Sequence, residues 1–187
     1  IVTSGLVGSN GTLGNEVVAS MQRDRASVSL GQFHHETNGF RENNDQKHNV
    51  YNGFFQYALT PKLNVQAEVR RRETEHGDMR LNFKAEVDKN YHRILNENTA
   101  RIGARYTLSP NQDLLVSGKY IDRFVEISGL NPSQSDKSGF QIEGQHLYRQ
   151  GMFSSVIGGG GYDFSDKNPE VRNINRKNFY AYTNTSL

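Results

Sequence analysis

The sequence predicts an all-β fold, an up-and-down antiparallel transmembrane β-barrel, and three observations carry that expectation. Apolar and polar residues alternate at period two along most of the chain, while helical periodicity is nearly absent. Short turns and long polar loops alternate strictly. The polar face of the candidate strands is long and charged, which suits a wet interior better than a soluble surface.

About nine candidate strands run over roughly 14–22, 25–36, 48–59, 62–73, 98–109, 113–127, 138–149, 152–164 and 177–187. Several exceed the usual ~5–6 residues. Short turns fall near 22–24, 60–62, 109–112 and 149–151, where Pro61, Pro110 and Gly151 supply turn chemistry. Long connections are expected at about 37–47, 74–97, 128–137 and 165–176. That asymmetry puts every short turn at one end of the sheet and every long loop at the other.

The short turns set a register. Across Thr60-Pro61-Lys62, Leu59 pairs with Leu63, so Tyr57 faces Val65, Phe55 faces Ala67 and Gly53 faces Val69. The opposite face then pairs Gln56 with Gln66, Phe54 with Glu68 and Asn52 with Arg70. Pairing Leu108 with Leu114 sets Tyr106 against Val116 and Arg105 against Ser117; pairing Met21 with Ala26 sets Ala19 against Val28. The hairpin over 138–164 sorts less cleanly: Phe140, Ile142 and Val156 fall on the apolar face beside His146, and Phe153 and Ile157 on the polar one. A one-residue slip in any cleanly sorted pair would mix the faces.

The polar set is expected to line a lumen: Asn52, Gln56, Asn64, Gln66, Glu68, Arg70, Arg72, Arg101, Arg105, Ser117, Lys119, Gln141, Glu143 and Gln145. Aromatic residues of the other face cluster toward strand ends, with Tyr57, Tyr106 and Tyr148 near short turns and Tyr51, Tyr120 and Phe140 toward long loops. These suit the two interfacial girdles of a membrane barrel. Arg71 projects to the apolar side and therefore marks the membrane edge, because arginine at the midplane costs ~2–4 kcal/mol. In hydrocarbon every backbone polar group must be paired, so the sheet must close on itself.

The 187 residues suffice for one domain. Residues 1–13 are expected to be a Gly-rich extracellular loop remnant and 14–187 barrel strands truncated at both ends, the chain being read as a piece of a longer polypeptide. Hydrophobic residues are only 34%, thin for a single buried core, yet 18 Gly, 10 Phe and 9 Tyr argue against simple disorder. A net charge of +2 gives no sign of a nucleic-acid partner, and the lack of cysteine removes thiolate chemistry. No apolar run approaches the ~18 residues of a membrane helix.

Candidate chemistry is sparse. His34, His35, His48, His76, His92 and His146 show no metal-ligand spacing, and no metal or cofactor is expected. His35, Glu36, Glu73, Glu75 and His76 would lie near the outer rim, where Glu73 and Glu75 could form a carboxylate pair ~6–7 Å apart, but a solvated, charge-mixed loop base is the favoured reading. Gly5, Gly8, Gly11 and Gly14 do not make a phosphate loop. Gly158–Gly161 lies within a strand, which suggests close approach of a backbone, a bend or a smooth lipid-facing surface. Arg70, Arg72, Arg101 and Arg105 project to one side with Glu68 and Glu143, either bracing a wall or setting selectivity.

The stretches "YALTPKLNVQAEVRRRETEHGDMRLNF", "TARIGARYTLSPNQDLLVSGKY" and "GFQIEGQHLYRQGMFSSVIGGGGYDF" resemble the C-terminal β-barrel region of large bacterial outer-membrane proteins that carry periplasmic tetratricopeptide repeats. The resemblance covers roughly residues 25–165. It implies a porin-like channel of the bacterial outer membrane, with membrane lipid, an envelope solute or polysaccharide, and upstream periplasmic repeats as partners. It implies no enzyme. Two alternatives stay open on the residues alone: a soluble β-sandwich that binds glycans, and a rim-active hydrolase.

Overall fold

A computed structural model describes residues 1–80, 87–168 and 173–186. Parts of the expected loops 74–97 and 165–176, and Leu187, lie outside the described residues. Among those described there is no helix, and ten strands form one sheet in chain order, every neighbouring pair antiparallel. They are β1 (Val2–Val7), β2 (Leu13–Arg23), β3 (Ala26–Thr37), β4 (Gln46–Ala58), β5 (Leu63–His76), β6 (His92–Ser109), β7 (Gln112–Ser128), β8 (Ser133–Gln150), β9 (Phe153–Lys167) and β10 (Ile174–Ser186). The strand over Val2–Val7 stands where a loop remnant was expected. It pairs with β2 from Val2↔Val18 to Val7↔Leu13.

Backbone contacts are confined to sequential neighbours, so no second sheet packs on this one and β1 does not meet β10. Among the described residues the sheet is therefore open and carries no second layer, unlike a sandwich. The described residues bury a single large apolar side chain, Leu95. The accessible surface is 12917 Å², against about 9,000 Å² for a compact monomer of this mass.

Alternation sorts the residues as expected on β4 and β5. Tyr57↔Val65, Phe55↔Ala67 and Gly53↔Val69 lie on one face, with Gln56↔Gln66, Phe54↔Glu68 and Asn52↔Arg70 on the other. In the turn, the Thr60 hydroxyl accepts the Lys62 and Leu63 amides at 3.2 and 3.0 Å. Two other hairpins are offset by two residues from expectation. Tyr106 faces Leu114 and Arg105 faces Leu115, because a bulge between Thr107 and Ser109 leaves only Pro110 and Asn111 in the turn. Met21 faces Val28, because Asp24 and Arg25 make a two-residue turn with Asp24 at φ 50°. A slip of two preserves the faces.

The β8–β9 hairpin corrects the face assignment of its second strand. Gly151, at φ 60°, turns the chain with Met152, so Gln150 faces Phe153 and His146 faces Ile157. Phe153 and Ile157 thus lie on the apolar face, while Val156 opposes Leu147 on the polar one.

The long-loop end is tied by a knot of hydrogen bonds around Asp78, which is only 2% exposed. Its carboxylate accepts Arg80 Nε at 2.9 Å, Arg80 Nη2 at 2.8 Å, and the amides of Arg80 and Asp88 at 3.0 and 3.1 Å. Asn44 Nδ2 and Arg41 Nη2 donate to the Asp78 carbonyl at 2.9 Å each, which joins the β3–β4 loop to the β5–β6 loop. The donors of Arg80 and Asp88 hold the carboxyl well below the usual carboxylate range, the Arg80 side chain contributing most.

Candidate functional site

The ladder brings every expected lumen residue to one face. Asn52 opposes Arg70, Gln56 opposes Gln66, Asn64 opposes Arg105, and Glu68 opposes Arg101. Further along, Arg72 opposes Glu97, Lys119 opposes Gln141, Ser117 opposes Glu143, and Gln145 opposes Leu115. The sheet curves around this face: a cavity of about 460 Å³ is lined by Gln56, Asn64, Gln66, Arg101, Arg105, Ser117, Glu143 and Gln145, contributed by β4 through β8.

Charges on β5–β8 are segregated by face. Arg70, Arg72, Arg93, Arg101, Arg105, Lys119, Arg123, Lys137 and Arg149 project to the polar face with Glu68, Glu97, Asp113 and Glu143. On the other face Arg71 is the one basic residue of these strands, histidine aside, beside Glu73, Glu75, Asp122, Glu126 and Asp136. The chain's net charge of +2 conceals this division, which only strand parity and register expose.

Several cations of the polar face are braced. Arg70 meets Glu68 at 3.0 Å, and Asn52 donates to the same carboxylate oxygen at 3.0 Å. Arg105 meets the buried Asp113 at 2.7 Å, with the Thr107 hydroxyl donating at 2.8 Å. Arg72 and Arg123 share one oxygen of Glu97 at 3.2 and 3.7 Å. Part of the arginine set therefore supports the wall, while Arg101 and Lys119 reach no carboxylate within ion-pair distance among the described residues.

The glycine run has a definite use that the sequence left open. Gly158 and Gly160 face inward, opposite Tyr182 and Tyr180 of β10. A Cβ on Gly158 would lie 2.6 Å from Tyr182 Cζ, and one on Gly160 would lie 2.9 Å from Tyr180 Oη. The bare backbone lets both rings cross β9 and reach Glu143 on β8. Tyr180 donates to Glu143 at 3.1 Å and accepts Gln141 Nε2 at 2.8 Å; Tyr182 also donates to Glu143. On the other face, Gly161 makes room for Phe179.

The six expected interfacial aromatics, Tyr51, Tyr57, Tyr106, Tyr120, Phe140 and Tyr148, all project to the apolar face. Met21, Leu30, Phe55, Val69, Ile102, Val116, Ile142, Ile157 and Phe179 join them, each 45% or more exposed. The boundary of this face follows one ladder row, in which Arg71 opposes Asn98, Asn98 opposes Asp122, and Asp122 opposes Ser138. Arg71 itself is paired to Glu73 at 2.6 Å.

The rim residues do not converge. Glu73 and Glu75 share the apolar-side parity, whereas His76 projects to the opposite face, its Nδ1–H donating to the Gly77 carbonyl at 2.7 Å. Adjacent His34 and His35 diverge as expected: His34 meets Asn49 at 2.6 Å and His35 opposes His48. Among the described residues no three metal-binding side chains cluster.

No family model matches this sequence. No curated protein matches it. Among solved structures, the outer-membrane expressed OmpT of Vibrio cholerae is similar, at 10% identity and a TM-score of 0.60. The match covers 95% of this chain and 56% of that one, so the chain spans little more than half of the structure it resembles. The likeness is one of fold: an up-and-down antiparallel sheet, open here, that matches part of that outer-membrane β-barrel.

Proposed function

We propose that this chain forms part of the wall of a bacterial outer-membrane barrel whose charged lumen passes a polar solute, with an envelope polysaccharide as one such cargo. Passage is diffusive, along hydrated side chains, and involves no covalent chemistry. The observation that carries the reading is the pairing of a charged, cavity-bearing face with a continuous exposed apolar face, in a sheet that buries almost no core. Roughly 25 cal/mol is gained per Å² of apolar surface removed from water, so such a face is stable only against an apolar medium or another protein. Lipid supplies that medium, and tilted strands of ten or more residues span its ~25 Å apolar band.

Membership in a repeat-bearing outer-membrane protein is part of the same proposal, and rests on the sequence resemblance alone. The test is fractionation. The protein carrying this chain should partition with outer membranes, need detergent for extraction, and migrate differently on gels with and without heating. Recovery as a soluble monomer without detergent contradicts the proposal.

A further inference from the structure

The wall of β6–β8 holds positive charge that its own carboxylates do not neutralise. Arg101 stands directly opposite Lys119 across β6 and β7, and Arg123 directly opposite Lys137 across β7 and β8. Like charges at directly opposed positions repel. The acids sharing the face are bonded to other groups, and although Glu68 stands opposite Arg101 and Glu143 acts on it through space, none among the described residues reaches Arg101, Lys119 or Lys137 within ion-pair distance. Glu68 is held by Arg70 and Asn52. Glu143 is held by Tyr180, Tyr182 and Gln145. Glu97 serves two arginines. Asp166, which opposes Lys137, accepts the Ser135 hydroxyl at 2.7 Å, while Lys137 Nζ lies over the Phe164 ring at 5.3 Å.

The same region contains donors without acceptors. The Nε–H groups of Arg72, Arg93 and Arg123 are buried and make no hydrogen bond among the described residues, that of Arg123 lying 3.7 Å from the Glu97 oxygen. A buried donor left unpaired is costly, and the cost is relieved when an acceptor arrives. Carboxylates and phosphates are the acceptors that guanidinium groups hold best, through charge-assisted bonds. Lys119 and Arg123 project to the same face four residues apart on β7, ~13 Å along the strand. One small anion cannot span that distance, but an extended chain bearing several negative groups can.

We infer that the inner wall of β6–β8 is a binding track for a polyanionic solute, an acidic oligosaccharide or a comparably extended chain of carboxylate or phosphate groups. The inference rests on the channel reading and deepens it by naming the charge class of the cargo. Arg101 and Lys119 form its lower end, beside the cavity that Arg101 also lines. Arg123 and Lys137 form its upper end, with Arg72 of the adjacent β5 beside them.

The experiment uses the protein extracted from its own membranes and reconstituted in planar bilayers, with oligogalacturonate and its neutral methyl ester as probes. Under a salt gradient the reversal potential should report anion preference. Oligogalacturonate should block the current and the ester should not. Replacing Arg101→Gln and Lys119→Gln together should weaken block about tenfold, the loss expected when charge-assisted hydrogen bonds are removed, and move the reversal potential away from anion preference. Arg123→Gln with Lys137→Gln should do the same if the first pair fails to fold. Cation preference, or equal block by acid and ester, overturns the inference while leaving the channel intact. Absence of any conductance contradicts the channel instead; calorimetric binding in detergent then decides the track, upheld by oligogalacturonate binding that the variants weaken and overturned by its absence.

Discussion

Tyr180 lies across the backbone of Gly160 and donates to Glu143 at 3.1 Å, two strands away. The contact exists because Gly160 has no side chain. It locks β8, β9 and β10 together on a sheet with no packed core beneath it. Adding a Cβ at Gly160 would strike the Ile142 carbonyl oxygen as well as the tyrosine ring. Gly160→Ala should therefore destabilise the folded protein by about 1–3 kcal/mol, read as a lower unfolding midpoint in detergent. Gly144→Ala is the control, since a Cβ there approaches nothing closer than 3.9 Å, and it should change the midpoint little.

The two faces of β4 should respond oppositely to the same substitution. Phe55 and Gln56 are neighbours, but Phe55 opposes Ala67 on the apolar face and Gln56 opposes Gln66 on the polar one. Phe55→Arg should cost about 2–4 kcal/mol, the depth-dependent penalty for arginine facing lipid near the midplane. Gln56→Arg should fold and insert normally. The comparison is made on the heat-modifiable gel band of each variant extracted from membranes. Equal tolerance at both positions contradicts the assignment of faces.

Asp78 makes the long-loop end sensitive to acid. Its folded pKa is depressed below the usual 3.8 by the donors of Arg80 and Asp88. A depressed pKa contributes stability that is present above the unfolded value and lost as pH falls toward the folded one. The described loop residues 38–45, 77–80 and 87–91 should hold at neutral pH and loosen progressively below about pH 4. Asp78→Asn should loosen them at neutral pH and flatten that acid response. Loop cleavage, by a neutral protease for the variant at neutral pH and by an acid-active one for both proteins at low pH, should rise about tenfold when these charge-assisted bonds are lost.

How much of this was legible in the sequence depended on what parity alone can settle. The β4–β5 register was readable because Thr60, Pro61 and Lys62 pin one turn length. At Met21 and Tyr106 the turn length was ambiguous by two residues, and alternation is blind to a shift of two. On β9 the run of glycines erased the apolar signal that would have set parity, so Val156 was placed on the wrong face. The Asp78 knot and the tyrosines over Gly158 and Gly160 depend on residues far apart in the chain. No local pattern announces them, and only the folded ladder brings them together.

The membrane assignment of the two faces is tested most directly by single cysteines along β5, from Asn64 to Arg70. The chain has no cysteine of its own, so each introduced thiol is the only one it contributes. With the protein in its membrane, a water-soluble thiol reagent should label cysteine at positions 64, 66, 68 and 70. Positions 65, 67 and 69 should resist it and react only with a reagent dissolved in the lipid. Uniform labelling, or an inverted alternation, would contradict a strand that shows one face to lipid and the other to a wet lumen.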